Sequence, residues 1–264
     1  MKTRLLFVLA VLAIAYSCSQ SSSPARITDM QCESQVNPLG IDREKPLLQW
    51  KISDDRRGAV QTAYQVLVAS SPDKLRADTG DLWDSGMVET DQSVHVEYGG
   101  SPVASETACY WKVRVWDQDG KPTPWSAMAT WETGLLNPDD WRASWISGEP
   151  ENPVRSVYLR KDFEVAGSRI QSARLYVTGL GSYVFYVNGS RVGDDLLTPG
   201  WTDFPKRLEY QVYDVTDLLV EGANAAGAIL GSMWWSGGLG WMGGTSYSKG
   251  PLKLLAQLKI KYDD

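Results

Sequence analysis

Three tryptophans sit in a glycine-rich stretch, Gly231-Ser232-Met233-Trp234-Trp235-Ser236-Gly237-Gly238-Leu239-Gly240-Trp241-Met242-Gly243-Gly244, and a fourth, Trp201, follows a Pro199-Gly200 turn. Indole faces on pliant backbone can lie against the C–H side of a sugar ring, while Asn188 and Asp203 offer oxygens to its hydroxyls. The same indoles would serve equally to pack against another domain. Asp194 and Asp195, with Asp203 close behind, put several hard oxygens in one region, and calcium takes oxygen donors of that kind. A solvated acidic turn is the other reading of these carboxylates.

Other chemistries find less support. His95 is the only histidine, placed between Val94 and Val96 with no carboxylate, Ser or Cys partner nearby in sequence, and reads as a solvent-facing strand residue. The cysteines, Cys18, Cys32 and Cys109, lack metal-ligand spacing. Cys32 and Cys109 are expected either to pair in an oxidising compartment or to stay as two buried thiols. Glycoside hydrolysis needs two carboxylates across the scissile bond, about 6.5–9.5 Å apart in an inverting enzyme. No run of amphipathic helices offers a scaffold for such a pair, so no catalytic residue is assigned.

The elements that must hold these side chains are strands. Ala173-Leu175-Val177 and Tyr183-Phe185-Val187 alternate with more polar neighbours, the period of half-buried β-strands, with Gly179-Leu180-Gly181 joining them. Asn188-Gly189 is a type I′ hairpin signal. Its N-x-S form also fits a glycosylation acceptor, which the tight turn explains better. Leu208 to Val215 alternates again, Asp214 to Leu219 suggests one helical turn capped by Asp214 or Thr216, and Leu252 to Ile260 has one buried face. Upstream, the runs at Leu47–Ile52, Ala63–Val68, Ser93–Tyr98, Tyr110–Asp117 and Trp125–Glu132 suggest a seven-stranded fibronectin III-like sandwich, with Trp50, Trp111 and Trp116 as core or interdomain packing. Residues 25–136 form that first domain, 137–153 a proline-spaced linker, and 154–264 a second, jelly-roll or galactose-binding-like sandwich. The fold class is all-β. About six strands are visible in the second sandwich where a jelly roll has eight, which predicts an unpaired sheet edge and a front piece of a longer protein.

The 264 residues are 43% hydrophobic and 22% charged, with a net charge of -6, which fits a folded body with two domains. Nucleic acid is not expected as a partner, because no Lys/Arg cluster forms a phosphate-binding face. Lys2 and Arg4 precede the apolar run Leu5 to Ala15, too short to span a bilayer, and then Ala15-Tyr16-Ser17-Cys18. Two readings stand: a lipobox that lipidates Cys18, or an ordinary cleaved signal. Both imply export. In the first, the membrane is touched only through a lipid, and the leader and tether occupy residues 1–24.

One long stretch resembles a known family. LYVTGLGSYVFYVNGSRVGDDLLTPGWTDFPKRLEYQVYDVTDLL is similar to the N-terminal β-sandwich of bacterial α-L-rhamnosidases, glycoside hydrolase family 78. Cys32-Glu33, Asn37 to Asp42 and Tyr110 to Asp117 resemble the first module of the same enzymes. The resemblance implies rhamnose-containing glycans as ligand and a downstream (α/α)6 catalytic barrel of the same polypeptide. Related sandwiches of carbohydrate-binding module family 67 hold calcium against rhamnose, which makes calcium the one candidate ion at Asp194 and Asp195. Where the family shows Gly-Asn/Asp-Gly-Trp, Ser232 and Met233 stand in the two middle places. The resemblance implies a non-catalytic accessory portion of an exported α-L-rhamnosidase. The alternatives are a freestanding surface lipoprotein that binds rhamnosyl glycans, and a structural sandwich pair.

Overall fold

A computed structural model describes residues 23–148, 156–167, 169–238, 240–241, 247–248 and 250–263. Cys18 and its leader, Met242 to Gly244 and residues 149–153 of the proline-spaced linker lie outside them.

The first sandwich faces a three-stranded sheet against a four-stranded one. The first sheet has the order β1 (Arg26–Cys32), β2 (Leu47–Ser53), β5 (Val96–Glu97); the second has β4 (Trp83–Asp84), β3 (Gln61–Ala69), β6 (Ala108–Asp117), β7 (Ala129–Glu132). All pairings are antiparallel. This is the seven-strand count expected. Between β3 and β4, Ser71-Pro72 opens a short helix, α1 (Pro72–Arg76), with the Ser71 hydroxyl capping Lys74 N. Trp50, Trp111, Trp131 and Tyr98 fill the interior at 2% exposure or less, so alternation does place the large apolar residues inside. Trp116 does not join them. It lies on the outer face, half-buried, under the Arg114 guanidinium at 5.1 Å. Cys32 and Cys109 are buried and unbonded, and burial pushes the Cys109 thiol up to about 12.

The second sandwich faces the order β13 (Gln211–Asp214), β10 (Ile170–Leu180), β15 (Lys253–Tyr262), β8 (Ile146–Ser147) against β12 (Ser190–Arg191), β11 (Ser182–Val187), β14 (Gly222–Gly231), β9 (Ser156–Val165). Among the described residues eight strands are present where about six were expected, because two-residue strands such as β8 and β12 leave no periodic trace. Part of the stretch read as linker is therefore β8, bonded to β15 at Lys253 and Leu254. The alternating sets Ala173-Leu175-Val177 and Tyr183-Phe185-Val187 both point into the core. Their strands lie in opposite sheets, however: Gly181, at φ +117°, carries the chain from one layer to the other, and a Cβ there would stand 2.5 Å from Gly231 O. Asn188-Gly189 forms the expected two-residue hairpin with both φ values positive, 50° and 83°.

The two sandwiches meet at a polar junction. Arg174 on β10 grips Glu132 on β7 with Nε at 3.0 Å and Nη2 at 2.9 Å, and its Nη1 reaches Asp214 at 2.9 Å. The side chains of Arg174 and Glu132 are only 18% and 10% exposed. Lys259 on β15 reaches Glu106, and Tyr210 Oη accepts from Leu135 N at 2.8 Å. Gln257 Oε1 accepts from Arg142 N at 2.7 Å while its Nε2 donates to Asp140 O at 3.0 Å. Gly134 lets Tyr210 come this close: a Cβ on it would sit 2.2 Å from the phenol oxygen.

Two predictions follow from these contacts. Arg174→Ala leaves Glu132 buried and unpaired, and urea unfolding should show a loss of about 3 kcal/mol; Asp214→Asn, at the wetter end of the triad, should cost far less. Asp117 gives the acid limb of stability. Burial works against its ionised form, but the Lys121 and Asp119 amides and the Arg56 guanidinium outweigh that and hold the carboxyl down to about 2. Since the folded value lies below the ordinary value of about 3.9, its contribution is present above about pH 4 and is lost as the pH falls toward about 2. Asp117→Asn should be less stable near neutrality and flatten the decline of Tm across that window.

Candidate functional site

Trp234 and Trp235 of the glycine-rich stretch gather with Trp201 at one end of the second sandwich. β14 ends at Gly231 and a short helical turn, α2 (Met233–Ser236), lifts Trp234 and Trp235 from the sheet. The loop between β12 and β13 brings Trp201 to the same place. Its base is fixed by Thr198, whose Oγ1 donates to Tyr183 O at 2.8 Å and whose carbonyl accepts from Tyr183 N at 3.0 Å.

Trp201 and Trp234 stack, with ring centroids 5.5 Å apart and planes 13° from parallel. Trp201 Nε1 donates to Tyr247 Oη at 3.1 Å. Beneath them Phe204, 8% exposed, meets Trp235 and Tyr247 edge-on at 5.9 and 5.3 Å. Trp235 Nε1 is turned inward to Pro251 O. The outcome is a layered platform: Phe204 and Trp235 are its foundation, Trp201 is 57% exposed above, and Trp241 stands clear at 99% exposure. Stacking braces one indole with the other and leaves an outer ring face, chiefly that of Trp201, open to an apolar surface such as the C–H face of a pyranose.

The other expected site residues fall elsewhere or are already engaged. Asn188 Nδ2 donates to Leu218 O and Asn224 Oδ1, both at 2.8 Å, and its Oδ1 accepts from Ala225 N at 2.8 Å. Its amide thus ties the hairpin to β14 and is occupied within the fold. Asp203 bonds Lys206 at 2.9 Å and its carbonyl accepts from Lys206 and Arg207 N, so it shapes the turn behind Trp201. Of the pair read as a candidate metal site, Asp195 Oδ2 accepts from Tyr213 Oη at 2.8 Å and Asp194 faces solvent; no group of three or more His, Cys, Asp or Glu converges among the described residues.

A second concavity, about 620 Å³, lies between the sandwiches and is lined by Glu33, Asp42, Asp195, Glu209, Arg207 and Gln211, among others. Three of its four carboxylates are spoken for: Glu33 by Leu47 N at 2.7 Å, Asp195 by Tyr213, Glu209 by Arg207 at 3.3 Å. That leaves Asp42 alone, without a second free carboxylate to complete an acid–base pair. Sequence reasoning missed Phe204 and Tyr247 as site residues; their separation from Trp234 and Trp235 along the chain gave no signal.

Comparison with known proteins fits this architecture. Residues 27–137 match the model of the Rha78A-like N-terminal immunoglobulin domain, and residues 168–264 that of the alpha-L-rhamnosidase N-terminal domain. The chain belongs to the α-L-rhamnosidase family, as an N-terminal portion. It is 40% identical over 242 residues to an α-L-rhamnosidase of Formosa agariphila, covering 88% of this chain and 26% of that one. It is 37% identical over 274 residues to one of an Alteromonas species, covering 98% and 30%. The solved α-L-rhamnosidase from Dictyoglumus thermophilum superposes with a TM-score of 0.80 at 35% identity, over 90% of this chain and 28% of that one. The chain therefore spans less than a third of these relatives. What was read as fibronectin III-like is matched as an immunoglobulin domain, a neighbouring form of the same two-sheet sandwich.

Two substitutions separate platform from foundation. Phe204→Ala should cost about 3 kcal/mol in denaturant unfolding, because it opens a hole beside the Trp235 and Tyr247 rings. Trp201→Ala, on the exposed layer, should stay within about 1 kcal/mol of the parent while red-shifting the emission of Trp234.

Proposed function

We propose that this chain is a non-catalytic accessory portion of an exported α-L-rhamnosidase, and that its Trp201–Trp234 platform holds a saccharide for a catalytic domain on the same polypeptide. The observation that carries this reading is the stacked indole pair at the sandwich end, in which Trp201 is more than half exposed and Trp234 braces it. Family membership supports rhamnose-containing glycans as ligand class, and export rests on the leader with Cys18 as lipidation site. The absence of a second free carboxylate in the cleft between the sandwiches supports the non-catalytic part.

The 264-residue chain should release no p-nitrophenol from p-nitrophenyl α-L-rhamnoside; release by the purified chain would contradict the accessory reading. Calorimetry with L-rhamnose should give binding in the millimolar range, about −4 kcal/mol, weakened on the order of tenfold or more by Trp201→Ala and unchanged by chelator. Binding abolished by chelator would return the metal to the site. Silence in both parent and variant would make the pair of sandwiches a spacer.

A further inference from the structure

The second sandwich is open along one side. β9 is the last strand of its sheet, and among the described residues nothing pairs with its outer edge. The facing sheet ends in β8, which covers β15 only at Lys253 and Leu254 and leaves the outer edge from Leu255 to Tyr262 without a strand among the described residues. Between these two edges lies an apolar slot of about 460 Å³, lined by Leu159, Phe163, Phe185, Leu254, Leu258 and Ile260 among others. That is roughly three times the ~150 Å³ that accommodates a benzene ring. Unpaired backbone donors and acceptors beside an apolar slot have one natural complement, an extended strand whose alternate side chains fill the slot.

One side chain sets the character of that strand. Val157, Leu159, Phe163 and Val165 of β9 pack toward the core, and Lys161 shares their parity and lies opposite Ala226, a core-facing residue of β14. Lys161 is therefore an inward-pointing cation in the middle of an edge strand, exposed only because the side is open. Such a charge guards an edge against indiscriminate pairing. It also disfavours a second copy of this chain: a two-fold β9–β9 pairing that joins Arg160 to Asp162 of the other copy would set the two Lys161 side chains against each other. A strand that brings a carboxylate to that position would be drawn in.

We infer that the open β9–β15 side is a strand-accepting slot, filled by an extended segment of the further polypeptide that the longer relatives possess, with alternate apolar side chains and a carboxylate opposite Lys161. This rests on the reading of the chain as an accessory portion of such an enzyme. It gives the downstream polypeptide a point of attachment remote in chemistry from the aromatic platform: the platform takes a sugar, the slot takes backbone.

The test uses the full 264-residue chain and short overlapping peptides that cover the part of the Formosa agariphila relative this chain does not match. Hydrogen exchange should slow at β9 and the outer edge of β15 with peptides from one contiguous stretch. Lys161→Glu, at an exposed position, should keep Tm while weakening that peptide on the order of threefold to tenfold, and exchanging the peptide's acidic residue for Lys should restore it. The inference fails if no peptide protects β9, if protection is indifferent to the charge swap, or if the chain alone sediments as a dimer with β9 protected. Saccharide binding is read separately by calorimetry, so loss of the one does not disguise loss of the other.

Discussion

The bidentate grip of Arg174 on Glu132 is the interaction on which the rest of the molecule turns. Two β-sandwiches joined by a short connector would otherwise move independently, because a junction of this size is polar and would hydrate readily. Here the Arg174 guanidinium, largely removed from water, is held by Glu132 across the junction and by Asp214 of its own sandwich, and the planar two-point grip fixes the orientation of one sandwich on the other. Tyr210, fitted against Gly134, and Gln257, bonded to the connector at Asp140 and Arg142, extend that seam in both directions. The first sandwich thereby becomes a fixed base for the second.

On that base the second sandwich presents two surfaces of opposite chemistry. Its loop end is aromatic and layered, with Trp201 stacked on Trp234 and tied through its ring N–H to Tyr247. Its β9 side is backbone and aliphatic, with a lone cation in the middle. The proposed division of labour assigns the sugar to the first surface and the backbone of a further segment to the second.

Much of this was legible in the sequence, and what was not has a physical reason. Period-2 alternation put Leu175, Val177, Phe185 and Leu254 inside correctly, and Asn188-Gly189 fixed a turn type, because those are local consequences of backbone geometry. Alternation says which face is buried but not which strand lies alongside, so the passage from β10 to β11 read as a join between neighbours when Gly181 in fact changes layers. β8 and β12, at two residues each, are too short to show a period. Helix α1 went unread although Ser71-Pro72-Asp73 carries a cap signal, because a single turn has no amphipathic pattern. The stacking of Trp201 on Trp234 and the capture of Asp195 by Tyr213 are long-range facts. The first brings together residues singled out separately, and the second engages one of the two carboxylates that sequence proximity had offered to a metal.

The central claim, that saccharide is held by the indole platform and not by the acidic cleft between the sandwiches, is tested most directly by indole N–H resonances in a two-dimensional NMR titration with L-rhamnose. The account predicts progressive shifts of the Trp201, Trp234 and Trp241 indoles, with the side-chain amides of Gln35 and Gln211, both lining the cleft, unmoved. Shifts confined to those two amides, with the indoles silent, would contradict it.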